Sequence, residues 1–292
     1  MGLKKFIKNI YFLQKYSLEK EFRKHKENCD INEIIDTIQY AQYGLNIPNI
    51  LDTQATIQKL CNEKMSLARF GDGELSLIQE RDIPFQKSSP RLTSRLKEVL
   101  SSNNPKIGIA IPRVLYSAKG RRTQHNWEFW QQEGPQFRPL LDRYLNMKNV
   151  YYPTEVSLFS SYSSETEKFD AYFQSIRQIW QNKDIHLIYG KGIFDHLTYD
   201  IFDNAKSVSR QEAPSKDAFE QYEIILETAL KVDPKKLIII ILGPTATILA
   251  YDLALQDYRA LDLGHIAKSY DYWKKGKDLS SKSESISFFK PD

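Results

Sequence analysis

The chain has 292 residues, of which 41% are hydrophobic and 27% charged, and its formal net charge is +4. These values are typical of a globular protein with one large domain or two small ones. The longest apolar run, residues 237–242, is far shorter than the roughly 20 residues of a membrane-spanning helix, and two cysteines are too few for a disulfide framework or a cysteine metal site.

The first 29 residues differ from the rest of the chain in charge. They carry eight Lys/Arg against three Glu, a balance of +5, so the remainder is close to neutral. This distribution argues against a nucleic-acid-binding domain, which would carry a basic face throughout. No small-residue cleavage site follows the N-terminal lysines, so we predict no secretory signal and expect a cytoplasmic protein.

An apolar stripe at helical spacing predicts a helix over residues 1–29. The stripe consists of Leu3, Phe6, Ile7, Ile10 and Leu13. A basic amphipathic helix can lie on an anionic membrane surface, or it can dock on its own protein or on a sister subunit, and both interpretations stay open. A second helix is predicted over residues 31–43. We therefore predict an N-terminal basic helical extension over residues 1–49 and a catalytic domain over residues 50–292.

Strand-like and helix-like patterns alternate from residue 50 onward. Apolar runs typical of strands cover residues 66–69, 107–111, 150–152, 185–189, 207–209, 237–242 and 260–263. Helical patterns cover residues 53–64, 92–100, 169–181 and 218–231. Such alternation predicts an α/β fold with a mainly parallel sheet and helices on both faces. We expect the serine-rich tail, residues 279–287, to be a loose terminus.

The turn ARFGDGEL, residues 68–75, follows the first predicted strand. Its glycines permit a tight backbone, and Asp72 and Glu74 project to the same side if the backbone is extended there. Two carboxylates beyond a strand end repel each other unless a cation lies between them, and a divalent metal ion bound to a diphosphate would satisfy both. The alternative is a Gly-Asp-Gly turn in which Glu74 caps the next helix.

The turn LGPTAT, residues 242–247, follows the most apolar predicted strand. Pro244 suits the first turn of a helix. Thr245 and Thr247 either bind a phosphate at the helix start or only cap the helix.

Two more segments lie at predicted strand ends, where a parallel sheet forms its sites. In APSKDAF, residues 213–219, Ser215 and Lys216 either bind phosphate or open a helix. His265 follows the last strand, where a histidine is either structural or a contact to metal or substrate.

Five motifs occur in order along the chain, namely SLARFGDGEL, FDNAKSV, APSKDAFEQY, LGPTATILAYDL and YRALDLGHI. Together they resemble the GT-D glycosyltransferases, a family first catalogued as a domain of unknown function that acts in bacterial surface-glycan and glycoprotein assembly. The resemblance covers about residues 51–273 and is specific because several motifs recur in the right order.

The resemblance implies a Rossmann-like fold and transfer of a sugar from a nucleotide donor, typically UDP-glucose, to a saccharide or glycoprotein acceptor. Asp72 and Glu74 match the family's Asp-x-Glu motif, which would hold Mn²⁺ or Mg²⁺ against the diphosphate, and with His265 they are the predicted catalytic residues. The predicted donor-binding residues are Arg69, Phe70, Gly71, Ser215, Lys216, Gly243, Thr245 and Thr247. A homo-oligomer stays open, as does docking at the inner face of the membrane through residues 1–29.

The sequence departs from the family pattern near the predicted site, and an Arg-Pro-Tyr-like segment reads LFSSYS at residues 158–163. The departures leave the donor sugar and the acceptor open. The other departures from the family pattern are Tyr189 in place of a glutamate, Ile193 and Phe194 in place of a Ser-Arg pair, and Ala267 or Lys268 in place of an acidic residue.

Two alternatives to this function remain. One is another nucleotide-dependent transferase, although the chain has no GxGxxG or GxxxxGK[ST] motif. The other is a non-catalytic, nucleotide-sugar-binding partner subunit that keeps the fold. No catalytic base is singled out: His265, Asp195 and His196 are the candidates, and a retaining mechanism needs none.

Overall fold

The computed structural model describes residues 47–116, 123–277, 279 and 282–289. The helices predicted over residues 1–29 and 31–43 lie outside these residues. The predicted division of the chain between residues 49 and 50 stays a prediction.

Within the described residues, eight strands form one sheet. They are β1 (Asn49–Ile50), β2 (Ser66–Arg69), β3 (Ile107–Ile111), β4 (Val150–Pro153), β5 (Asp184–Gly190), β6 (Ser207–Ala213), β7 (Leu237–Ile241) and β8 (Arg259–Asp262). Their order across the sheet is β1-β4-β3-β2-β8-β7-β5-β6, and every neighbouring pair is parallel.

Helices connect most of these strands. They are α1 (Thr53–Asn62), α2 (Asp72–Ile78), α3 (Pro90–Leu100), α4 (Gln124–Tyr144), α5 (Phe159–Tyr162), α6 (Phe169–Arg177), α7 (Tyr222–Ala229), α8 (Gly243–Leu255), α9 (Ile266–Lys274) and α10 (Lys282–Phe289). Short 3-10 helices cover Arg113–Leu115, Thr154–Ser157, Thr166–Lys168 and Ala218–Gln221.

The core lies on both faces of the sheet. Strand β7 has the sequence LIIII and is buried throughout. Because successive side chains of a strand point to opposite faces, Ile238 and Ile240 pack in one hydrophobic cluster while Ile239 and Ile241 pack in the other. The predicted α/β fold, with a mainly parallel sheet and helices on both faces, is confirmed.

Two of the helices begin where local chemistry favours a start. The Ser89 hydroxyl accepts a hydrogen bond from the Leu92 N–H at 3.2 Å, and Pro90 occupies the first helical position of α3. The Asp52 carboxylate accepts from the Ala55 N–H at 2.7 Å at the start of α1. These caps fix where the chain enters α1 after β1 and α3 after the loop that follows α2.

The structure corrects the sequence prediction at the C-terminal tail. We expected residues 279–287 to be a loose terminus, whereas α10 covers Lys282–Phe289. Phe288 is fully buried, with its ring 5.2 Å from that of Tyr272. Burial of this aromatic ring outweighs the weak helix propensity of the serines around it.

Helix α4 was not predicted. It spans 21 residues and contains Pro135 and Pro139, which interrupt the pattern that normally indicates a helix. Buried Trp130 and Phe137 fix it against the core instead. No helix in the described ranges is long and apolar enough to cross a membrane.

Candidate active site

A cleft of about 390 Å³ opens at the carboxyl ends of β2, β5, β6, β7 and β8. The predicted site residues that line it are Arg69, Gly71, Asp72, Glu74, Ser215, Gly243 and His265. The other four predicted residues, all of them described, lie off its wall: Phe70, Lys216, Thr245 and Thr247. The structure therefore brings together all the predicted segments, and the binding roles of the individual residues stay predictions.

We expected Asp72 and Glu74 of the ARFGDGEL turn to converge because they would lie on an extended backbone. In the structure this part of the turn is helical. Strand β2 ends at Arg69 and α2 begins at Asp72. Residues two apart on a helix are separated by about 200° around its axis, so the geometric argument for Asp72 and Glu74 pointing the same way is wrong. Both nevertheless line the cleft, Asp72 with an exposed side chain and Glu74 with a buried one.

Glu74 caps the helix that it belongs to. Its Oε2 accepts a hydrogen bond from the Gly71 N–H at 2.6 Å, which is the structural alternative considered for this turn. A Cβ at Gly71 would lie 3.3 Å from the same oxygen, so the absence of a side chain there lets the carboxylate approach the backbone.

Arg69 lies at the centre of the acidic groups. Its guanidinium is nearly buried, with Nε 3.8 Å from Oδ1 of Asp262 at the end of β8. Gly264 has φ +46°, and a Cβ there would lie 1.9 Å from Arg69 Nη2. Glycine at this position therefore provides both the left-handed backbone and the space for the arginine.

Asp262 is a site residue that sequence reasoning missed. It is 2% exposed, and it accepts hydrogen bonds from the Gly264 N–H at 3.1 Å and from the Thr247 hydroxyl at 3.3 Å. The signal was an acidic residue at the end of the last strand, in RALDLGH, three residues before the predicted His265.

Burial changes the ionisation of all three carboxyls. Loss of solvation raises the pKa of Glu74 to about 7, opposed by the Arg69 charge and assisted by the Asp262 charge. Burial likewise raises the pKa of Asp262 to about 6, with Arg69 opposing. The pKa of Asp72 is also raised, because the walls of the cleft reduce its solvation although its side chain is exposed.

The carboxyls fit a divalent ion that is shared with a substrate. Among the described residues, no group of three His, Cys, Asp or Glu side chains is arranged to hold a metal ion. Asp72 has an exposed carboxylate on the cleft wall, while one carboxylate oxygen of Glu74 already accepts a hydrogen bond from the Gly71 N–H. Mg²⁺ is commonly held by one or two carboxylates with substrate phosphates completing its shell, and this donor set matches that pattern.

The start of α8 faces the cleft through its backbone rather than its threonines. Gly243 has φ +51°, and no side-chain hydrogen bond caps the helix at Leu242. The Thr247 hydroxyl donates to the Arg69 carbonyl at 2.9 Å, and the Thr245 hydroxyl is buried without a partner among the described residues. The expectation that both threonine side chains contact a phosphate in the cleft is not supported by their position.

Ser215 does not cap a helix, contrary to one of the two predictions for APSKDAF. Residues 215–217 form a bend, a 3-10 helix follows at Ala218–Gln221, and α7 begins only at Tyr222. The bend is held from the neighbouring loop, because the Asp217 N–H donates to the Phe85 carbonyl at 2.9 Å and the Lys87 N–H donates to the Asp217 carboxylate at 2.7 Å.

His265 lies on the cleft wall beside the C-terminal helix. Its ring centroid is 5.8 Å from that of Phe288 and 5.9 Å from that of Phe289. Ser285 and Phe289 of α10 line the cleft themselves. Sequence reasoning missed this wall because the tail carried no recognisable motif.

The departures from the family pattern are divided between the cleft and its surroundings. Ile193, Ala267 and Lys268 line the cleft. Tyr189 does not line the cleft, and its hydroxyl donates a hydrogen bond to the Glu212 carboxylate at 3.3 Å. Phe194 packs against the hydrophobic core on one face of the sheet. The alternative bases Asp195 and His196 are exposed and do not line the cleft.

The chain matches known glycosyltransferases in sequence. A family model described as the glycosyltransferase GT-D fold matches residues 67–285. The chain is 31% identical over 231 residues to the probable glycosyl transferase Gly of Streptococcus gordonii, covering 78% of this chain and 33% of that protein. It is 27% identical over 248 residues to the glycosyltransferase GlyD of Streptococcus pneumoniae serotype 4, covering 85% of this chain and 30% of that protein. The chain thus spans about a third of the length of these relatives.

Solved structures give the same fold. One described as a new glycosyltransferase from Streptococcus sanguinis matches with a TM-score of 0.75 at 29% identity and covers 79% of this chain and 86% of that chain. Another, described as a highly conserved domain with a distinct glycosyltransferase fold, matches with the same TM-score and identity and covers 79% of this chain and 83% of that chain.

Proposed function

This chain belongs to the family of glycosyltransferases with the GT-D fold, and we propose that it transfers a sugar from a nucleotide-sugar donor to an acceptor. One observation carries the proposal. A single cleft combines an exposed carboxylate, Asp72, with an uncapped helix start at Gly243. A nucleoside diphosphate bound through a divalent ion needs both groups, because the ion requires the carboxylate and the phosphates are favoured by the helix start.

The donor we propose is a UDP-sugar, with glucose as the sugar, and the acceptor is a saccharide or a glycoprotein of the bacterial surface. This choice rests on the family resemblance of the motifs. We propose that the protein acts in the cytoplasm or at the inner face of the membrane, where nucleotide sugars are present.

Asp72 would hold Mn²⁺ or Mg²⁺, with Glu74 contributing its second oxygen directly or through water. A metal ion bound there would offset the charge that develops on the leaving nucleoside diphosphate. Positive groups of the protein itself would offset the same charge on the diphosphate. The Arg69 guanidinium lies on the cleft wall, and the first N–H groups of α8 present their dipole to the phosphates.

His265 is the candidate base that fits best. It lines the cleft, whereas Asp195 and His196 do not. An inverting transfer would use its imidazole to accept the proton of the acceptor hydroxyl, and a retaining transfer would use it to orient the acceptor.

A second candidate function is a non-catalytic subunit that binds a nucleotide sugar within a larger complex. The observation that favours it is the pair Ala267 and Lys268, which occupy the cleft wall where the family resemblance leads us to expect an acid. Another nucleotide-dependent transferase remains the third candidate.

Incubation with a panel of nucleotide sugars and Mn²⁺, followed by detection of the released sugar, tests the proposed function. We expect slow hydrolysis of a UDP-sugar. A non-catalytic subunit would bind UDP and release no sugar. Release of pyrophosphate or inorganic phosphate in place of a sugar would indicate a different transferase.

Calorimetric titration of UDP with and without Mn²⁺ tests the metal site. We expect Asp72→Asn to reduce the affinity in Mn²⁺ to the metal-free value, because it removes the anionic ligand that a hard cation prefers. Asp257→Asn is the matched control. Asp257 is exposed and has φ +64°, a conformation that asparagine tolerates. Equal UDP affinity in all conditions would overturn the metal site.

A further inference from the structure

Lys191 is a cation on the cleft wall to which nothing above assigns a role. It follows β5 directly, and its backbone N–H donates to the Ala213 carbonyl at 2.8 Å, which fixes the position of its Cα. Its side chain is exposed and lines the cleft. Within the described part of the chain, no hydrogen bond or ion pair engages its ammonium group.

The strand register sets Lys191 beside the start of α8. Tyr189 on β5 pairs with Ile241 on β7. Lys191 and Gly243 each lie two residues beyond that pair, just past the ends of neighbouring strands that are about 4.8 Å apart. On the other side, a Cβ at Gly190 would come within 3.0 Å of the Ser215 Cα. Lys191 therefore leaves the sheet between the loop that follows β6 and the uncapped helix start that follows β7.

A single class of ligand satisfies an uncapped helix start and a neighbouring ammonium group. Both favour negative charge, and the oxygens of a phosphate accept hydrogen bonds from each. Asp72 lies after β2, three strands from β5 in the sheet order, which is about 14 Å at the usual strand spacing. A diphosphate lying over β7 and β8 would fall between the two, within reach of the roughly 6 Å lysine side chain.

We propose that Lys191 binds the diphosphate of the donor, on the side of the cleft opposite Asp72. This inference rests on the proposed function, and it replaces the sequence-based choice of Lys216, which does not line the cleft. The donor would then lie across the carboxyl ends of β2, β8, β7 and β5. Its diphosphate would be held by the α8 start in the middle and by charged groups at each end.

Calorimetric titration of UDP and of uridine into the full chain, in Mn²⁺ and at two salt concentrations, tests the assignment. We expect Lys191→Gln to weaken UDP binding about 10-fold or more and to leave uridine binding unchanged, because uridine has no phosphate. Lys191→Arg should retain most of the affinity. The loss should shrink at high salt, because salt screens an exposed charge.

Lys235→Gln is the matched control for this experiment. Lys235 is an exposed lysine just before the amino end of β7, on the opposite edge of the sheet. It undergoes the same change in charge, and we expect UDP affinity within twofold of wild type. The melting temperature of Lys191→Gln should equal that of wild type, since an exposed side chain without partners contributes little to stability.

Three outcomes would overturn the assignment. They are an unchanged UDP affinity in Lys191→Gln, an equal loss of uridine affinity, and a loss confined to Lys216→Gln. If wild type binds no UDP, the proposed donor is wrong, and titration of inorganic pyrophosphate decides the role of Lys191. Pyrophosphate binding that Lys191→Gln weakens would keep Lys191 as an anion-binding residue, and no pyrophosphate binding would overturn both proposals.

Discussion

A methyl group at Gly264 would collide with the guanidinium of Arg69. Gly264 has φ +46°, and a Cβ there would lie 1.9 Å from Arg69 Nη2 and 2.7 Å from its Cζ. The guanidinium lies beside buried Asp262, and its charge opposes the rise that burial causes in the pKa of both Asp262 and Glu74. We predict that Gly264→Ala displaces Arg69 into the cleft and leaves the two carboxyls without their cation.

The expected cost has two parts. A left-handed alanine costs about 1–2 kcal/mol, and removing one partner of a buried ion pair costs about 3–5 kcal/mol. Displacement is less severe than removal, and carboxyls whose pKa values are already raised can take up a proton. We therefore expect a total loss of about 3–5 kcal/mol, or a fall in melting temperature of at least about 6 °C.

Gly276→Ala is the matched control for the backbone part. Gly276 has φ +66° and no atom within 4 Å of the position of its Cβ. It should lose only the cost of the left-handed backbone, about 1–2 kcal/mol. Chemical denaturation of both variants measures the difference, which isolates the displacement of Arg69. UDP titration should show a loss of affinity only in Gly264→Ala.

A double-mutant cycle with Arg69→Ala separates the collision from other effects of the alanine. Once the guanidinium is gone, Gly264→Ala should cost no more than Gly276→Ala. Equal losses for the two glycine variants, or an unchanged cost of Gly264→Ala in the Arg69→Ala background, would show that Arg69 does not depend on the space at Gly264.

Three further predictions concern buried groups. Thr247→Val should lower the free energy of unfolding by about 1–3 kcal/mol, because its hydroxyl donates to the Arg69 carbonyl. Thr245→Val should leave that free energy unchanged or raise it, because the buried hydroxyl of Thr245 has no partner among the described residues. Chemical denaturation of the two threonine variants measures both effects, and an equal loss of stability in the two variants would contradict the prediction. Burial lowers the pKa of His186, so the unfolded chain protonates this group first and its contribution to stability is lost as the pH drops below about 6.5. Buried Glu74 and Asp262, whose pKa values are raised, contribute in the opposite direction over the same range. The free energy of unfolding of His186→Asn minus that of wild type should therefore rise between pH 7 and pH 5, and a constant difference would refute this prediction. Phe288→Ala should lower the free energy of unfolding by about 3–5 kcal/mol, since the ring is fully buried. Chemical denaturation measures this loss, and a loss under about 1 kcal/mol would show that α10 does not pack on the domain.

The central strands could be predicted from sequence because they are buried on both faces. Strands β2 and β3 have the predicted bounds, and each is buried along its whole length. Strand β6 was predicted three residues long and extends to Ala213. It lies at the edge of the sheet with one side in solvent, so polar residues interrupt its apolar pattern and hide its true length.

The segments of the site could be predicted, whereas the directions of their side chains could not. Four segments were expected at the carboxyl ends of strands, and all four reach the cleft wall through at least one residue. Whether Glu74 faces a metal or a backbone N–H depends on where α2 begins, and a shift of one helical position rotates a side chain by about 100°. Sequence patterns do not locate the first residue of a helix to within one position.

Asp262 and the C-terminal helix were missed for a related reason, since the contacts that explain each of them are made by other segments of the chain. Asp262 ends β8 as a buried acidic residue, and only the position of Arg69, nearly 200 residues earlier in the chain, explains how its charge is tolerated. Ser285 and Phe289 join the cleft wall because Phe288, between them in the helix, buries its ring beside His265. In each case a residue from one strand end determines the conformation of a distant segment. A chain that builds its cleft in this way couples the stability of its tail to the shape of its site.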